Sequence, residues 1–196
     1  MYIDSFPSPL GWFTVVVDGG GAVVASHLGG DDEPAGPGRL NLPKGAAPPR
    51  PDPDRTRAAR KQLLEYARGE RTHFELPLAP VGTAFQREAW KALLAIPFGE
   101  TRSYRQQALA LGHPKAVRAV GGANGRNRLM VLIPCHRVIG SDGGLTGFGG
   151  GLGVKQRLLD HERRVMERAG RDPMPRLQPE LSSGVGLSSA HSTALA

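Results

Sequence analysis

Cysteine, lysine and long apolar runs are scarce in this sequence, and each shortage excludes a class of protein. One cysteine among 196 residues rules out an internal disulfide framework and any multi-cysteine zinc or iron–sulfur site. No apolar run approaches the roughly 20 residues that a membrane span needs. The first ten residues hold neither the basic nor the apolar segment of a secretory signal. We therefore expect a protein that uses no metal and no membrane and that is cytoplasmic, or nuclear if the source has a nucleus.

Basic residues outnumber acidic ones, 25 against 18, and 20 of the 25 are arginine. Guanidinium groups suit bidentate contact with phosphate, so this charge points to a polyanionic partner. The alternative is GC-rich coding, which would enrich Arg, Ala, Gly and Pro without any such partner. The 27 glycines and 17 prolines indicate long linkers, and an apolar content of 39% still leaves material for a core.

The start of the chain predicts strands. Residues 12–17 and 22–28 are short apolar runs separated by Asp18 and three glycines, which predicts a β-hairpin. Residues 29–53 are rich in Gly, Pro and Asp and show almost no periodicity, so we expect a long irregular connection there.

A helix is predicted next, with Asp54 as its N-cap and Gly69 as its end. Residues 73–78 predict another short strand, and Pro and Gly punctuation places a domain boundary near residue 81. The apolar face of the helix consists of Ala59, Leu63, Tyr66 and Ala67.

Residues 81–170 predict a mainly helical second domain. Thr83 and Ser103 each begin a capping box that opens a helix. Pro114 is expected in the first turn of a third helix that runs to about Ala123. Two helices joined by so short a turn have the connection length of a helix-turn-helix, although plain helix packing produces the same spacing.

The cysteine follows a continuous apolar run. Residues 129–133 predict a fully buried strand that carries Cys135 at its end. The glycine-rich loop at 147–151 lacks both nucleotide-binding glycine patterns, so we interpret it as a mobile flap ahead of a helix over 154–168. The tail, 171–196, has no period and is expected to be disordered.

A cysteine reacts as thiolate, so Cys135 needs a group that takes its proton. His136 is adjacent, but neighbours on an extended strand point to opposite faces, so we expect the two to communicate through a water. Glu162 lies on the apolar side of the last helix, where the ring N–H of His136 would satisfy its carboxylate. Lys155, in the first turn of that helix, opposes the helix dipole and needs a partner. The alternative is a purely structural Cys–His pair.

Residues 133–138, Ile-Pro-Cys-His-Arg-Val, resemble the active-site string of the O6-alkylguanine-DNA alkyltransferases. The resemblance extends over about residues 82–162, through 96–101 and 114–121. It supports an α+β fold, with an N-terminal α/β domain over residues 1–80 that contains a small antiparallel sheet. The mainly helical C-terminal domain would contain a helix-turn-helix and the active-site cysteine.

The resemblance implies direct DNA repair without a cofactor. Cys135 would take a methyl or alkyl group irreversibly from O6-alkylguanine, with O4-alkylthymine as a further candidate substrate, and the protein would be consumed. In the family the histidine acts through water as a base, and a glutamate matching Glu162 orients it. Asn127 matches an asparagine that bridges the helix-turn-helix to the active-site strand. Tyr104 matches a tyrosine that assists the leaving purine, and Lys155 matches a lysine near the thiolate.

The resemblance also implies a monomer that binds double-stranded DNA in the minor groove, associated with the nucleoid if the source is bacterial. Arg118 matches the arginine that fills the space left by an extruded nucleotide. Ala119 and Gly122 are small enough for close approach, and Lys115 and Arg126 are candidates for phosphate contact.

The substrate pocket implied by the family includes Val138, Phe148 and Gly149, with backbone groups reading the guanine edge. Phe148 stands where the family usually has Tyr, and Gly149 stands where Ser is common. Arg128 replaces the proline that usually follows the asparagine.

Two other functions remain open on the sequence. A damage sensor would bind alkylguanine without repairing it, but sensor relatives replace the cysteine, which is intact here. A turnover thiol hydrolase would use Cys135, His136 and Glu162, but it would leave the helix-turn-helix pattern unexplained.

Overall fold

Three antiparallel strands open the chain: β1 (Tyr2–Ser8), β2 (Gly11–Val17) and β3 (Val23–Leu28). The structure is a computed structural model, and it describes residues 1–30, 40, 42 and 45–170. A short fourth strand, β4 (Arg50–Pro51), pairs parallel to β1, so the strand order is β3-β2-β1-β4. The predicted hairpin is confirmed as β2 and β3. The predicted connection at 29–53 lies partly outside the described residues, and the predicted tail lies wholly outside them.

The first helix, α1 (Pro53–Arg68), packs on this sheet through the predicted apolar face. Its N-cap is Asp52, whose carboxylate accepts hydrogen bonds from two backbone N–H groups. The prediction of Asp54 as the N-cap was therefore wrong by two residues. Pro53 explains the shift, because a proline is best tolerated at the first helical position. The helix ends at Gly69, whose φ of 78° is the left-handed conformation that glycine adopts freely.

The strand predicted at 73–78 does not form. Leu78 makes only an isolated bridge to Val23. The side chain of Gln62 instead bonds both the N–H and the C=O of Glu75, which removes those groups from any strand pairing. Local apolar character therefore did not decide the backbone conformation here.

Four helices follow: α2 (Ala84–Leu94), α3 (Tyr104–Ala110), α4 (Val117–Gly125) and α5 (Leu152–Arg168). Both predicted capping boxes, which open α2 and α3, are confirmed.

The start of α4 corrects a prediction. Pro114 lies in a turn closed by the Ala116 N–H donating to the His113 carbonyl at 2.8 Å, and the helix begins only at Val117. Proline suits the second position of such a turn. Lys115 therefore lies ahead of α4 and not on it.

The predicted strand at 129–133 is also wrong in conformation, although every residue of the run is buried as expected. The Ile133 N–H donates to the Leu129 carbonyl at 2.8 Å, and Val131 has a φ of 73°, so the run folds back on itself. A continuous apolar run indicates burial, but periodicity alone does not distinguish an extended segment from a buried turn. A 3-10 turn, Cys135–Arg137, follows the run, and β6 (Val138–Ile139) comes directly after that turn. β6 pairs parallel with β5 (Arg102–Ser103), which immediately precedes α3.

One apolar cluster joins the sheet, α1, α2, α5 and the buried run. Its largest fully buried apolar side chains are Phe6, Phe13, Leu28, Leu63, Leu93, Leu129, Ile133 and Leu158. Backbone hydrogen bonds between β3 and the buried run reinforce it, since Ser26 exchanges bonds with Arg128 and Met130. The fold is thus a mixed α/β architecture. Within the described residues, no helix has the length and apolar character needed to cross a membrane.

Candidate active site

A carboxylate on α5 organises the polar centre of the molecule. Glu162 is 1% exposed, and its Oε1 accepts from the Tyr66 hydroxyl and lies 2.8 Å from the His136 Nε2. Its Oε2 accepts from the Gly99 N–H at 2.9 Å. The Arg137 guanidinium closes the set with donors to both oxygens at 3.0 Å. Every lone-pair direction of a deeply buried charge is therefore used.

The charges of this cluster are fixed by their partners. Burial alone would raise the pKa of Glu162, but His136 and Arg137 outweigh burial and hold that pKa well below its ordinary range. Burial lowers the pKa of His136, which favours the neutral ring. A carboxylate can only accept, so Nε2 carries the ring proton and Nδ1 keeps a lone pair. Nδ1 is buried and has no hydrogen-bond partner among the described residues.

Cys135 lies in the 3-10 turn and is 8% exposed. The Asn127 amide donates to its Sγ at 3.1 Å and to the Ile133 carbonyl at 2.8 Å, while the Asn127 oxygen accepts from the Leu129 N–H. Burial raises the pKa of the thiol, and Asn127 and Lys155 both oppose that rise. The segment is not extended, so the expectation that Cys135 and His136 are forced to opposite faces of a strand was wrong.

Lys155 is fully buried and has local partners, as its position in the first turn of α5 required. Its Nζ donates to the Val138 carbonyl at 2.6 Å and to the Thr146 carbonyl at 2.9 Å, and it lies 5.8 Å from the centre of the Tyr104 ring. Burial lowers the pKa of Lys155 to about 8. The group is thus a cation at neutral pH that can lose its proton under mildly alkaline conditions.

An open cavity of about 610 Å³ lies between the α3–α4 pair and the glycine-rich loop. Tyr104, Phe148 and Gly149 line it, together with Gly121 of α4. The Tyr104 hydroxyl approaches the Thr146 carbonyl at 3.5 Å, so this tyrosine and Lys155 share one acceptor. Val138 is fully buried and does not line the cavity; it reaches Lys155 through its carbonyl.

The predicted DNA-contacting residues lie around α4. Arg118, Ala119 and Arg126 are exposed, as is Lys115 in the preceding turn, and Gly122 is half-buried. Arg126 donates to the Gly122 carbonyl at 3.1 Å.

The opposite face of α4 is fixed to its neighbours. Asn124 and Gln107 of α3 exchange two side-chain hydrogen bonds of 2.7 and 3.2 Å. The Trp90 indole of α2 donates to the Ala123 carbonyl at 2.9 Å. The three helices therefore hold the exposed face of α4 in one orientation.

Two side chains that bind Glu162, those of Arg137 and Tyr66, were not predicted from the sequence as its partners. Arg137 lies in the same six-residue string as Cys135, and an arginine inside an apolar stretch is a signal that would have pointed to a buried carboxylate. Tyr66 was predicted on the buried face of α1, but its partner is 96 residues away in the chain. No local sequence pattern predicts a hydrogen bond between Tyr66 and Glu162. Within the described ranges, no three His, Cys, Asp or Glu side chains come together in a way that could hold a metal ion.

The fold and the site together define a mixed α/β protein that holds one buried thiol beside a His–Glu pair. Residues 84–164 match the family model of the 6-O-methylguanine DNA methyltransferase, DNA binding domain. The methylated-DNA–protein-cysteine methyltransferase of Methanosarcina barkeri is 55% identical over 106 residues, which cover 54% of this chain and 67% of that protein. The protein of the same name from Mycobacterium leprae is 43% identical over 160 residues, 81% of this chain and 90% of that protein.

A solved structure agrees with these relatives. The crystal structure of Mycobacterium tuberculosis OGT in complex with DNA superimposes with a TM-score of 0.74 at 38% identity, covering 88% of this chain and 96% of that chain. The chain therefore belongs to the methylated-DNA–protein-cysteine methyltransferase family, and its enzyme class is that of a methyltransferase.

Proposed function

We propose that this protein repairs DNA by moving a methyl or alkyl group from O6 of guanine onto Sγ of Cys135. The observation that carries the proposal is a single buried thiol that accepts a hydrogen bond from Asn127 and stands next in the chain to a His136–Glu162 pair. A hydrogen bond to sulfur favours the thiolate, which is the nucleophilic form. The family to which the chain belongs is named for this reaction.

The proposed step balances as follows. The thiol proton passes through one water to Nδ1 of His136, and Glu162 stabilises the resulting imidazolium. The sulfur–carbon bond then forms as the carbon–O6 bond breaks, and the electron pair of the broken bond stays on the purine. The purine gains a proton in turn, and we assign the Tyr104 hydroxyl, which lines the cavity, as its donor, with Lys155 5.8 Å from the centre of the Tyr104 ring.

The product is a thioether, and nothing in the proposed reaction removes the group again. Each chain therefore acts once and is consumed. The same chemistry applies to O4-alkylthymine, whose alkylated oxygen has the same relation to its ring, and we include that base as a second substrate.

DNA binding is assigned to the α3–α4 pair, which we take as the helix-turn-helix of a C-terminal domain over 81–170 that follows an N-terminal domain over 1–80. The exposed face of α4 carries small residues at Ala119 and Gly122, which permit close approach to a groove. A target base inside a duplex cannot reach a buried thiol, so it must leave the stack. We assign Arg118 to the space that the base vacates, and Lys115 and Arg126 to phosphates.

The decisive experiment is mass spectrometry of the intact protein after incubation with excess duplex that contains one O6-methylguanine. The expected result is one methyl group on Cys135 and no further reaction. Cys135→Ala is expected to bind the same duplex without being modified. Full methylation of that variant, or damage-specific binding by an unmodified wild type, would overturn the proposal. A duplex with O4-methylthymine tests the second substrate in the same assay.

The extrusion role of Arg118 has its own test. Arg118→Ala is expected to slow methyl transfer from duplex DNA much more than transfer from the free O6-methylguanine base, since only the duplex requires base extrusion. Arg57→Ala removes an equal charge from an exposed position on α1 and is expected to leave both rates unchanged. Equal slowing of the two reactions by Arg118→Ala would reject the assignment.

A further inference from the structure

A second cleft, of about 380 Å³, lies between the C-terminal ends of α1 and α5. Arg68, Arg164 and Arg168 line it, and the buried ring of His161 contributes to its wall. It shares no lining residue with the cavity beside α3 and α4. It therefore lies outside the machinery assigned to alkyl transfer.

The three arginines of this cleft are exposed near the ends of α1 and α5. Among the residues that the structure describes, none of them makes an ion pair or a side-chain hydrogen bond, although carboxylates lie on the same two helices. Three of those carboxylates pair with other cations: Glu65 with Arg71, Asp160 with Arg163 and Glu162 with Arg137. A fourth, the exposed Glu167 of α5, makes no ion pair with the cleft arginines among the described residues. The cleft thus gathers three exposed guanidinium groups that form no ion pair with those carboxylates.

The helix dipole explains only part of this arrangement. Arg68 and Arg168 each lie in the last turn of a helix, where a cation is favourable. Arg164 lies one turn earlier, and it stands at the i, i+4 spacing from Arg168 at which like charges destabilise a helix. An anion between the two side chains would remove that repulsion.

His161 connects the cleft to the interior. Its Nε2 donates to the Tyr66 carbonyl at 2.8 Å, and the Tyr66 hydroxyl reaches Glu162. Burial lowers the pKa of His161, and the nearby Arg164 lowers it further. The ring is therefore a sensitive reporter of any charge that enters the cleft.

We propose that this cleft is a phosphate-binding site, distinct from the alkyl-transfer site. Guanidinium groups bind phosphate oxygens in a bidentate manner, and arginines from two helices line this one cleft. The phosphate belongs either to the backbone of a DNA segment or to a free polyphosphate. Both sources present the same group, so one set of variants tests both.

The test compares two doubly substituted proteins by isothermal titration calorimetry with inorganic pyrophosphate. Arg164→Gln/Arg168→Gln removes two cations from the cleft, and Arg57→Gln/Arg163→Gln removes two that are already paired with Asp54 and Asp160. Wild type and control are expected to bind one pyrophosphate, and the cleft variant is expected to bind at least tenfold more weakly. Equal binding by the two variants would overturn the proposal.

A measurement on the wild type makes the result independent of the variants. Pyrophosphate is expected to shift the ring nitrogen signals of His161 in NMR spectra and to leave those of the exposed His113 in place. Binding without any shift at His161 would place the anion elsewhere and reject the site.

A short undamaged duplex then distinguishes the two sources. If the duplex displaces pyrophosphate and binds the cleft variant more weakly than the control variant, the phosphate is a DNA phosphodiester. If the duplex leaves pyrophosphate bound, the site takes a free anion. Methyl transfer to Cys135 from the free base is followed in parallel, so that a failure of the proposed repair function is seen separately.

Discussion

The two halves of the molecule bury very different material. The half built from the first sheet and α1 fills its interior with apolar side chains such as Phe6, Phe13 and Leu63. The half around α5 buries its share of the same apolar cluster and, in addition, the charged groups Arg137, Lys155 and Glu162. Removing paired charges from water brings little or no net stability, whereas apolar burial is strongly favourable. The charged groups of the second half therefore add little to the stability that apolar packing gives both halves.

The largest loss of stability is expected from Glu162→Gln. The variant keeps the shape of the side chain but leaves the Arg137 guanidinium buried without a counter-ion, so we expect the free energy of unfolding to fall by about 3–5 kcal/mol. Urea unfolding measures the change. Glu167→Gln, at an exposed position on the same helix, is the matched control and should change stability by less than about 0.5 kcal/mol. A loss of unfolding free energy as small as that of Glu167→Gln would show that the charge of Glu162 does not stabilise the buried Arg137.

The corresponding change in the apolar half is Leu63→Ala. Leu63 is 0% exposed, and its truncation is expected to cost about 3 kcal/mol through lost burial and a residual cavity. Leu63→Met should cost less than about 1.5 kcal/mol, because it preserves volume and apolar character. Urea unfolding of both Leu63 variants measures the difference. A substitution that preserves shape should retain most of the free energy of unfolding at Leu63, but not at Glu162. Equal costs for Met and Ala would contradict it.

Acid should destabilise the protein through the charged half. The folded-state pKa values of His136 and His161 lie below the ordinary 6.5, so the unfolded chain binds more protons as pH falls below about 6.5 and stability declines. The pKa of Glu162 is also lowered, so its contribution is present above its ordinary value of 4.5 and is lost as pH falls further. Unfolding free energies across the acid range should show both stages in wild type. In Glu162→Gln the decline below pH 4.5 should be shallower, and an unchanged slope would be inconsistent with this assignment.

The smallest expected effect concerns the thiol itself. Lys155→Met removes a cation that, together with the hydrogen bond from Asn127, opposes the rise in the pKa of Cys135 caused by burial, so that pKa should rise further. The rate of modification by iodoacetamide, followed against pH, measures the shift, and a chain with one cysteine makes the reading specific. Lys91→Met, on α2, serves as the control. A shift of the profile toward lower pH in Lys155→Met would contradict the role of the lysine.

Sequence reasoning succeeded where the signal was local. The capping boxes at Thr83 and Ser103 specify their own hydrogen bonds within four residues, and both form. The helical spacing of Glu162 placed it on the buried side of α5, where it is found. The proposed role of Glu162 in repair stays a prediction.

The failures share a different cause. The apolar run before Cys135 specified burial but not extension, because its backbone groups bond to one another and to β3. The segment near Glu75 failed in the same way, since Gln62 took the hydrogen bonds that a strand needs. In both places specific hydrogen bonds decided the backbone conformation, and an apolar pattern does not specify those bonds.

The hydrogen bond from Tyr66 to Glu162 connects the candidate site to the first half of the molecule. Glu162 receives one of its donors from a helix in the first half, while the cysteine and histidine come from the second. A chain whose first half had not yet docked would carry its thiol beside an incompletely held carboxylate. Under the single-use reaction proposed above, such a dependence would keep the one thiol from being committed before the molecule around it is assembled.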